Sequence, residues 1–176
     1  MNVFRIVATA AAIAVPALVH AQSDLNDLQM AHVAVIADAI DIRYAHLALA
    51  LSKSPSIKEF AETMIRDHTA ISGGVVALAK KLNVEAQDNP VSQKLLTDAE
   101  KIVESMSRLR GVAFDRAYAT NELRYHRAVN GLVATTFIPR IANKEVKAAF
   151  EGALVVFKGH EKHAEMMVSA VGASVK

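Results

Sequence analysis

Apolar residues recur at intervals of three and four along most of the chain, and no segment shows the period of two that half-buried strands have. The clearest segment begins at Ser54-Pro55, where a helix-capping residue precedes a proline at the first helical position. Its apolar face has an unbroken 4-3 spacing, formed by Ile57, Ala61, Met64, His68, Ile71, Val75, Leu78 and Leu82. The pattern predicts an all-α protein.

Caps and breakers predict four long helices and one connecting helix. The first long helix covers residues 24–52, the second 54–82 and the third 112–137, where Pro139 is expected to end it; the fourth begins near Asn143. A polar loop at 83–90 and a helix at 91–109 connect the second to the third. A short hairpin does not need so long a connection. The expected fold is therefore a ferritin-like four-helix bundle with a helical crossover between the second and third helices.

The first 21 residues have the features of a signal peptide. Arg5 gives a basic start, an apolar run follows at 6–19, and Val19-His20-Ala21 supplies small residues at the positions that a cleavage site requires. The run is too short to be a membrane span. We therefore expect one domain at residues 22–176, located in the periplasm or secreted after cleavage.

Composition narrows the classes of partner and ligand. The formal net charge is +2 and the charges are scattered, so no basic surface for nucleic acid is indicated. The chain has no cysteine, which excludes disulfides and thiolate metal ligands. An envelope protein partner and a homo-oligomer both remain open.

Three of the seven histidines occupy apolar faces of three different predicted helices: His68, His126 and His160. A buried histidine is costly unless its ring nitrogens have partners. Counted from the turns near Lys53 and Pro139, all three fall in the middle third of their helices, at the level of Asp41 in the first helix. The four side chains are expected to share one depth.

Further polar residues flank these histidines at helical spacing. Glu122 precedes His126 by one turn, and imidazole with carboxylate suits zinc, copper, iron or manganese. The sequence thus predicts a transition metal ion of unspecified identity, bound by the three histidines with help from Glu122 or Asp41. The predicted supporting residues are Asp67, Asp115, Tyr118 and His163.

Two other interpretations stay open. The histidines can instead form a buried hydrogen-bond network with Asp67, Asp115 and Tyr118 in a metal-free envelope protein that interacts with another component. An enzyme is the least favoured interpretation, because no pair of nucleophile and base can be named. The Glu-x-x-His signature of di-iron bundles is absent from the second and fourth helices, which argues against ferroxidase chemistry.

Three segments resemble a bacterial exported family known as domain of unknown function 4142, which is placed among ferritin-like folds. They are SPSIKEFAETMIRDHTA at 54–70, GVAFDRAYATNELRYHRAV at 111–129, and FIPRIANKEVKAAF at 137–150, which is followed by GHEKHAEMM. The resemblance implies a ferritin-like bundle in the cell envelope, with recurrent polar residues at Asp67, His68, Asp115, Tyr118, His126 and His160. Asp41 stands where the family usually has a glutamate. The family has no assigned activity, so the resemblance implies a fold and a location only.

Overall fold

The computed structural model describes residues 25–173, and this part of the chain is helical with short connections and contains no strand. The predicted leader at 1–21 lies outside it. The five long helices are α1 (Asp27–Leu51), α2 (Pro55–Leu82), α3 (Pro90–Ser107), α4 (Gly111–Leu132) and α6 (Lys144–Ala173), and a short α5 (Ile138–Arg140) precedes the last. The all-α prediction is confirmed.

Side-chain caps explain where several helices begin. Asn26 precedes α1 and forms a capping box with Gln29, in which each side chain accepts a hydrogen bond from the other residue's backbone N–H. Asn89 caps α3 in front of Pro90. Asn143 accepts hydrogen bonds from the first backbone N–H groups of α6. Each of these three helices therefore begins directly after an asparagine whose side chain caps its first turn.

The sequence predicts that Pro139 ends the helix of residues 112–137, which corresponds to α4. The structure around this proline is different. A π-helical turn, Val133–Phe137, follows α4, and α5 then includes Pro139 before the chain leaves the helix at Ile141. Proline lacks an N–H and its ring crowds the preceding turn. A proline and a π-helical turn are both recognised causes of kinks in helices, and here Pro139 lies just after the π-helical turn.

Contacts at the two ends define how the long helices run. At one end, Ser52 after α1 donates a hydrogen bond to Asp115 near the start of α4. At the other end, Asp27 at the start of α1 accepts hydrogen bonds from the backbone of Asn143 before α6. The helix α3 begins beside the first turn of α1, where Asn89 donates to the Gln29 carbonyl, and it returns the chain to the opposite end. As a result α4 runs parallel to α2, and α6 runs parallel to α1.

The main packing pairs are α1 with α2 and α4 with α6, and contacts of α2 with α6 and of α1 with α4 join the pairs. Two apolar clusters fill the interior, one around Phe60 and Phe114 and the other around Phe137 and Phe150. The interior also contains buried charged and polar side chains, among them Asp38, Asp41, His68, Glu122, His126 and His160. Among residues 25–173, none of the helices combines the length and apolar character needed to cross a bilayer.

Candidate metal centre

His68 of α2, His126 of α4 and His160 of α6 meet inside the protein. Each is at most 5 % exposed, and their ring centroids lie 5.2 to 5.8 Å apart. One nitrogen from each ring can be chosen so that all three atoms lie within 4.8 Å of one another. The fold therefore brings together three histidines that are widely separated in the sequence.

The outward nitrogen of each ring is held by an oxygen acceptor. Nδ1 of His68 lies 2.7 Å from Oδ1 of Asp38, and Nε2 of His160 lies 2.9 Å from Oδ2 of Asp67. Nδ1 of His126 lies 3.0 Å from the backbone carbonyl oxygen of Glu122. Carboxylate and carbonyl oxygens accept hydrogen bonds, so these three nitrogens carry the protons that are donated. In the neutral rings the remaining nitrogens therefore present lone pairs.

Those remaining nitrogens, Nε2 of His68, Nε2 of His126 and Nδ1 of His160, are buried and have no hydrogen-bond partner. Oδ2 of Asp41 lies 3.2 Å from Nε2 of His68 and 3.3 Å from Nε2 of His126, although neither contact has hydrogen-bond geometry. Two donors on a tetrahedrally coordinated ion with bonds of about 2.0–2.1 Å are separated by about 3.4 Å. The spacing of these donors is thus close to that of adjacent ligands on one ion.

Electrostatics distinguish His68 from the other two histidines. Burial disfavours its charged form, but the hydrogen bond to Asp38 and the adjacent charge of Asp41 outweigh burial and raise the pKa of His68 to about 9. The metal-free protein therefore carries an imidazolium here at neutral pH. The pKa of Asp41 is lowered despite its burial, because it lies beside His68 and near the two other histidines.

His126 and His160 are shifted in the opposite direction. Burial is the largest cause for both, and the nearby charge of His68 adds to it. The pKa of His126 is lowered, and that of His160 falls to about 4 although Asp67 favours its charged form. Both rings are consequently neutral at pH 7, which is the form that binds a metal.

Glu122 is fully buried beside this group, and neither of its side-chain oxygens has a hydrogen-bond partner. Burial and the charge of Asp41 raise the pKa of Glu122 well above its usual range, which favours the neutral carboxylic acid. Its Oε2 is 3.8 Å from Nδ1 of His126, which is the nitrogen already bonded to the backbone. Asp41, Glu122 and His126 form a second group with metal-ligand spacing. Within it, Asp41 is the carboxylate nearer to the unpaired histidine nitrogens.

The structure places the other predicted residues at different distances from the three histidines. Asp67 holds His160 directly. Tyr118 is fully buried with an unpaired hydroxyl group, and its pKa is raised by burial and by the carboxyl groups of Glu122 and Asp41. His163 packs edge-to-face on Phe60, with centroids 4.9 Å apart. Asp115 bonds to Ser52, and it precedes His126 by 11 residues, or about 16 Å along α4. Asp115 therefore belongs to the end of the helix pairs and not to the histidine group.

Sequence reasoning missed Asp38, which fixes His68. Its Oδ2 also accepts a hydrogen bond of 2.7 Å from the Ser72 hydroxyl, one turn after His68 on α2. The available signal was its position three residues before Asp41, which places both carboxylates on the same side of the first helix.

A cavity of 540 Å³ reaches the histidine group from between α2 and α6. Its inner end is lined by Asp38, Asp41, His68 and His126, and most of its wall is apolar. The second half of α2 is only partly buried because it borders this cavity. Its apolar face continues with Ile71, Val75 and Leu78, which line the cavity. The buried polar group is therefore connected to the surface by a mostly apolar opening.

No curated protein and no solved structure matches this chain. A family model described as a domain of unknown function, DUF4142, matches residues 12–167. The matched region contains every residue of the histidine group, the whole of α1, α2 and α4, and α6 as far as residue 167. The chain belongs to the DUF4142 family.

Proposed function

We propose that the protein binds one divalent transition metal ion through Nε2 of His68, Nε2 of His126, Nδ1 of His160 and Oδ2 of Asp41. The observation that carries this proposal is the convergence of three buried histidines: their rings offer nitrogens within 4.8 Å of one another, and each ring has one nitrogen without a hydrogen-bond partner. Buried polar atoms are rarely left unpaired, because each costs about 1–3 kcal/mol. Coordination of an ion gives all three a partner at once.

The acceptors behind the rings support the same conclusion. Metal-bound histidines usually donate the second ring N–H to a carboxylate or carbonyl, which fixes the orientation of the ring. Asp38, Asp67 and the Glu122 carbonyl take this part for the three rings. A hydrogen-bond network without metal accounts for these outward contacts equally well, and it pairs the protonated Nε2 of His68 with Asp41. It leaves Nε2 of His126 and Nδ1 of His160 without a hydrogen-bond partner.

The donor set favours Zn²⁺ among the divalent ions. Three imidazoles and one carboxylate are ligands that zinc accepts, and zinc imposes little geometric demand beyond four nearby donors. The two positive charges of the ion are matched by the carboxylates of Asp38 and Asp41. A charge-balanced set of ligands lowers the penalty for holding an ion in the protein interior.

The fold and location belong to the same proposal. The antiparallel pairs α1–α2 and α4–α6, with α3 as the crossover, support a ferritin-like four-helix bundle. The signal-peptide pattern at 1–21 supports export to the periplasm. We infer a role in metal binding or sequestration in the cell envelope, including under metal stress.

The metal content of untagged protein from its native source, measured by mass spectrometry, tests the proposal. We expect close to one ion per chain in the natural protein and none in the His68→Ala/His126→Ala variant. His46→Ala is the matched control, since His46 is an exposed histidine on α1 and should leave the metal content unchanged.

Circular dichroism of the same samples separates loss of metal from loss of fold. Full metal retention in a folded His126→Ala variant, or natural protein that contains no metal and binds none when it is supplied, would overturn the proposal.

A further inference from the structure

The cavity between α2 and α6 combines an apolar wall with a small polar inner end. Its volume is 540 Å³, which lies within the range of sites that hold small organic molecules. Alanine, valine, leucine and phenylalanine side chains form most of the wall, including Phe157, whose ring stacks on that of His68. A mainly apolar wall of this size favours a ligand with an apolar body.

The inner end selects the polar group of such a ligand. Asp41 lines the cavity, is completely buried, and its Oδ1 has no hydrogen-bond partner. An unpaired carboxylate oxygen accepts a hydrogen bond, which a hydroxyl group of a ligand can donate. A carboxylate group on the ligand has no proton to donate, and the carboxylates of Asp38 and Asp41 would repel it.

Net charge on the ligand is also disfavoured. The wall around the inner end is apolar, and burying an ionised group there costs far more than burying a hydroxyl group. The outer end carries Glu145, whose carboxylate is already paired with Lys81. In the part of the wall described, the inner end therefore provides buried acceptors, which are the Asp41 carboxylate and Nε2 of His126, and no unpaired cation.

We propose that this cavity binds an uncharged, mostly apolar organic molecule with a single hydroxyl group, such as an alkylphenol, with the hydroxyl group directed at Asp41. The site is formed by side chains of α1, α2, α4 and α6. Ligand binding at this position brings an organic hydroxyl group next to His68 and His126.

Two adjacent glycines of α2 give a matched test. Gly74 lines the cavity and Gly73 does not, and a Cβ atom added at either position has no atom within 4 Å. Leucine is a better helix former than glycine, so both Gly74→Leu and Gly73→Leu should fold. Only the first places a side chain in the cavity.

The experiment is an isothermal calorimetric titration of 4-butylphenol into the full-length protein after any metal has been removed with a chelator. We expect 4-butylphenol to bind the natural protein saturably. Its affinity should fall about tenfold or more in Gly74→Leu, because this variant removes cavity volume. In Gly73→Leu the affinity should stay within about twofold of that of the natural protein. We expect 4-butylbenzoate, which has the same apolar body, to bind at least about tenfold more weakly, because its carboxylate cannot donate to Asp41.

No saturable binding of 4-butylphenol, equal affinities of the two glycine variants, or benzoate binding as tight as that of the phenol would overturn the proposal. Because the titration uses chelated protein, its failure is distinct from failure of the metal proposal, which is measured by metal content. Repetition with the metal-loaded protein then reports whether the ion changes the affinity.

Discussion

Oδ1 of Asp38 lies 2.7 Å from Nδ1 of His68, and this hydrogen bond leaves the opposite ring nitrogen beside Asp41. Asp38 therefore acts on the proposed metal site without being one of its ligands. It sets the orientation of the ring and raises its basicity.

Replacement of the supporting carboxylate should weaken metal binding while the ligands remain. We expect Asp38→Asn to lower metal affinity by about 10- to 100-fold, the usual effect of losing such a partner. Competition with a chromophoric chelator measures the change. Asp98→Asn is the control, since Asp98 is a half-exposed carboxylate on α3 paired with Lys94. Equal affinities of the two variants would contradict the assigned role of Asp38.

Metal binding should release a proton at neutral pH. The pKa of His68 is about 9, so this ring is protonated in the metal-free protein, whereas His126 and His160 have lowered pKa values and are already neutral. We expect about one proton per ion at pH 7, since a ligand must lose its proton to coordinate. Calorimetric titrations in buffers with different ionisation enthalpies measure this number. A value near zero or near three would show that the protonation states differ from those described here.

Asp41, and not Glu122, should be the carboxylate that binds the ion. Oδ2 of Asp41 is within 3.3 Å of Nε2 of His68 and of Nε2 of His126. Burial raises the pKa of Glu122, which favours its neutral form and disfavours its binding to a cation. We expect Asp41→Asn to reduce metal affinity by about tenfold or more, because the amide removes the charge that balances the ion. Glu122→Gln keeps a neutral side chain of the same shape and should retain the metal. The reverse ranking in an equilibrium competition assay would assign Glu122 as the ligand.

The stability of the metal-free protein should be greatest near pH 6.5. The pKa of His68 is raised from 6.5 to about 9, so its contribution is complete below pH 6.5 and is lost as the pH rises towards 9. The pKa of His160 is lowered to about 4, so stability falls as the pH drops from 6.5 towards 4.

Urea unfolding of the chelated protein between pH 4 and pH 9, with buffers of constant ionic strength, tests both limbs. His68→Gln should make the alkaline limb shallower, because the proton that His68 gains on folding is lost in this variant, while the raised pKa of Glu122 still contributes to that limb. The acidic limb should also become shallower, because the charge of His68 helps to lower the pKa of His160. An unchanged alkaline limb in this variant would assign that loss of stability to a different group.

The helices could be predicted from sequence because their signals are local. These signals specify a helix or its start within one or two turns: the 4-3 spacing on α2, Asn143 before α6, and Pro55 after Ser54. The sequence predicts that the helix of residues 112–137 ends before Pro139, whereas helical structure continues through Arg140. A proline signal does not reveal whether a π-helical turn will absorb it, since that depends on packing around Val133 and Phe137.

The histidine group illustrates both the reach and the limit of sequence patterns. Helical counting from the turns placed Asp41, His68, His126 and His160 at a similar depth, and the structure places them side by side. Counting gives depth but not rotation about each helix axis. Rotation is what hides Asp38, whose side chain bonds to His68. Asp115 is separated from the histidines by depth, since it lies near the start of α4 with Ser52 and 11 residues before His126.

The four proposed donors come from four different helices: Asp41 from α1, His68 from α2, His126 from α4 and His160 from α6. Neither the α1–α2 pair nor the α4–α6 pair contains more than two of them. A chain that has formed only one pair offers no site comparable to that of the complete protein. Metal capture should therefore be the last event of assembly, so that loading with an ion reports that both pairs have docked correctly.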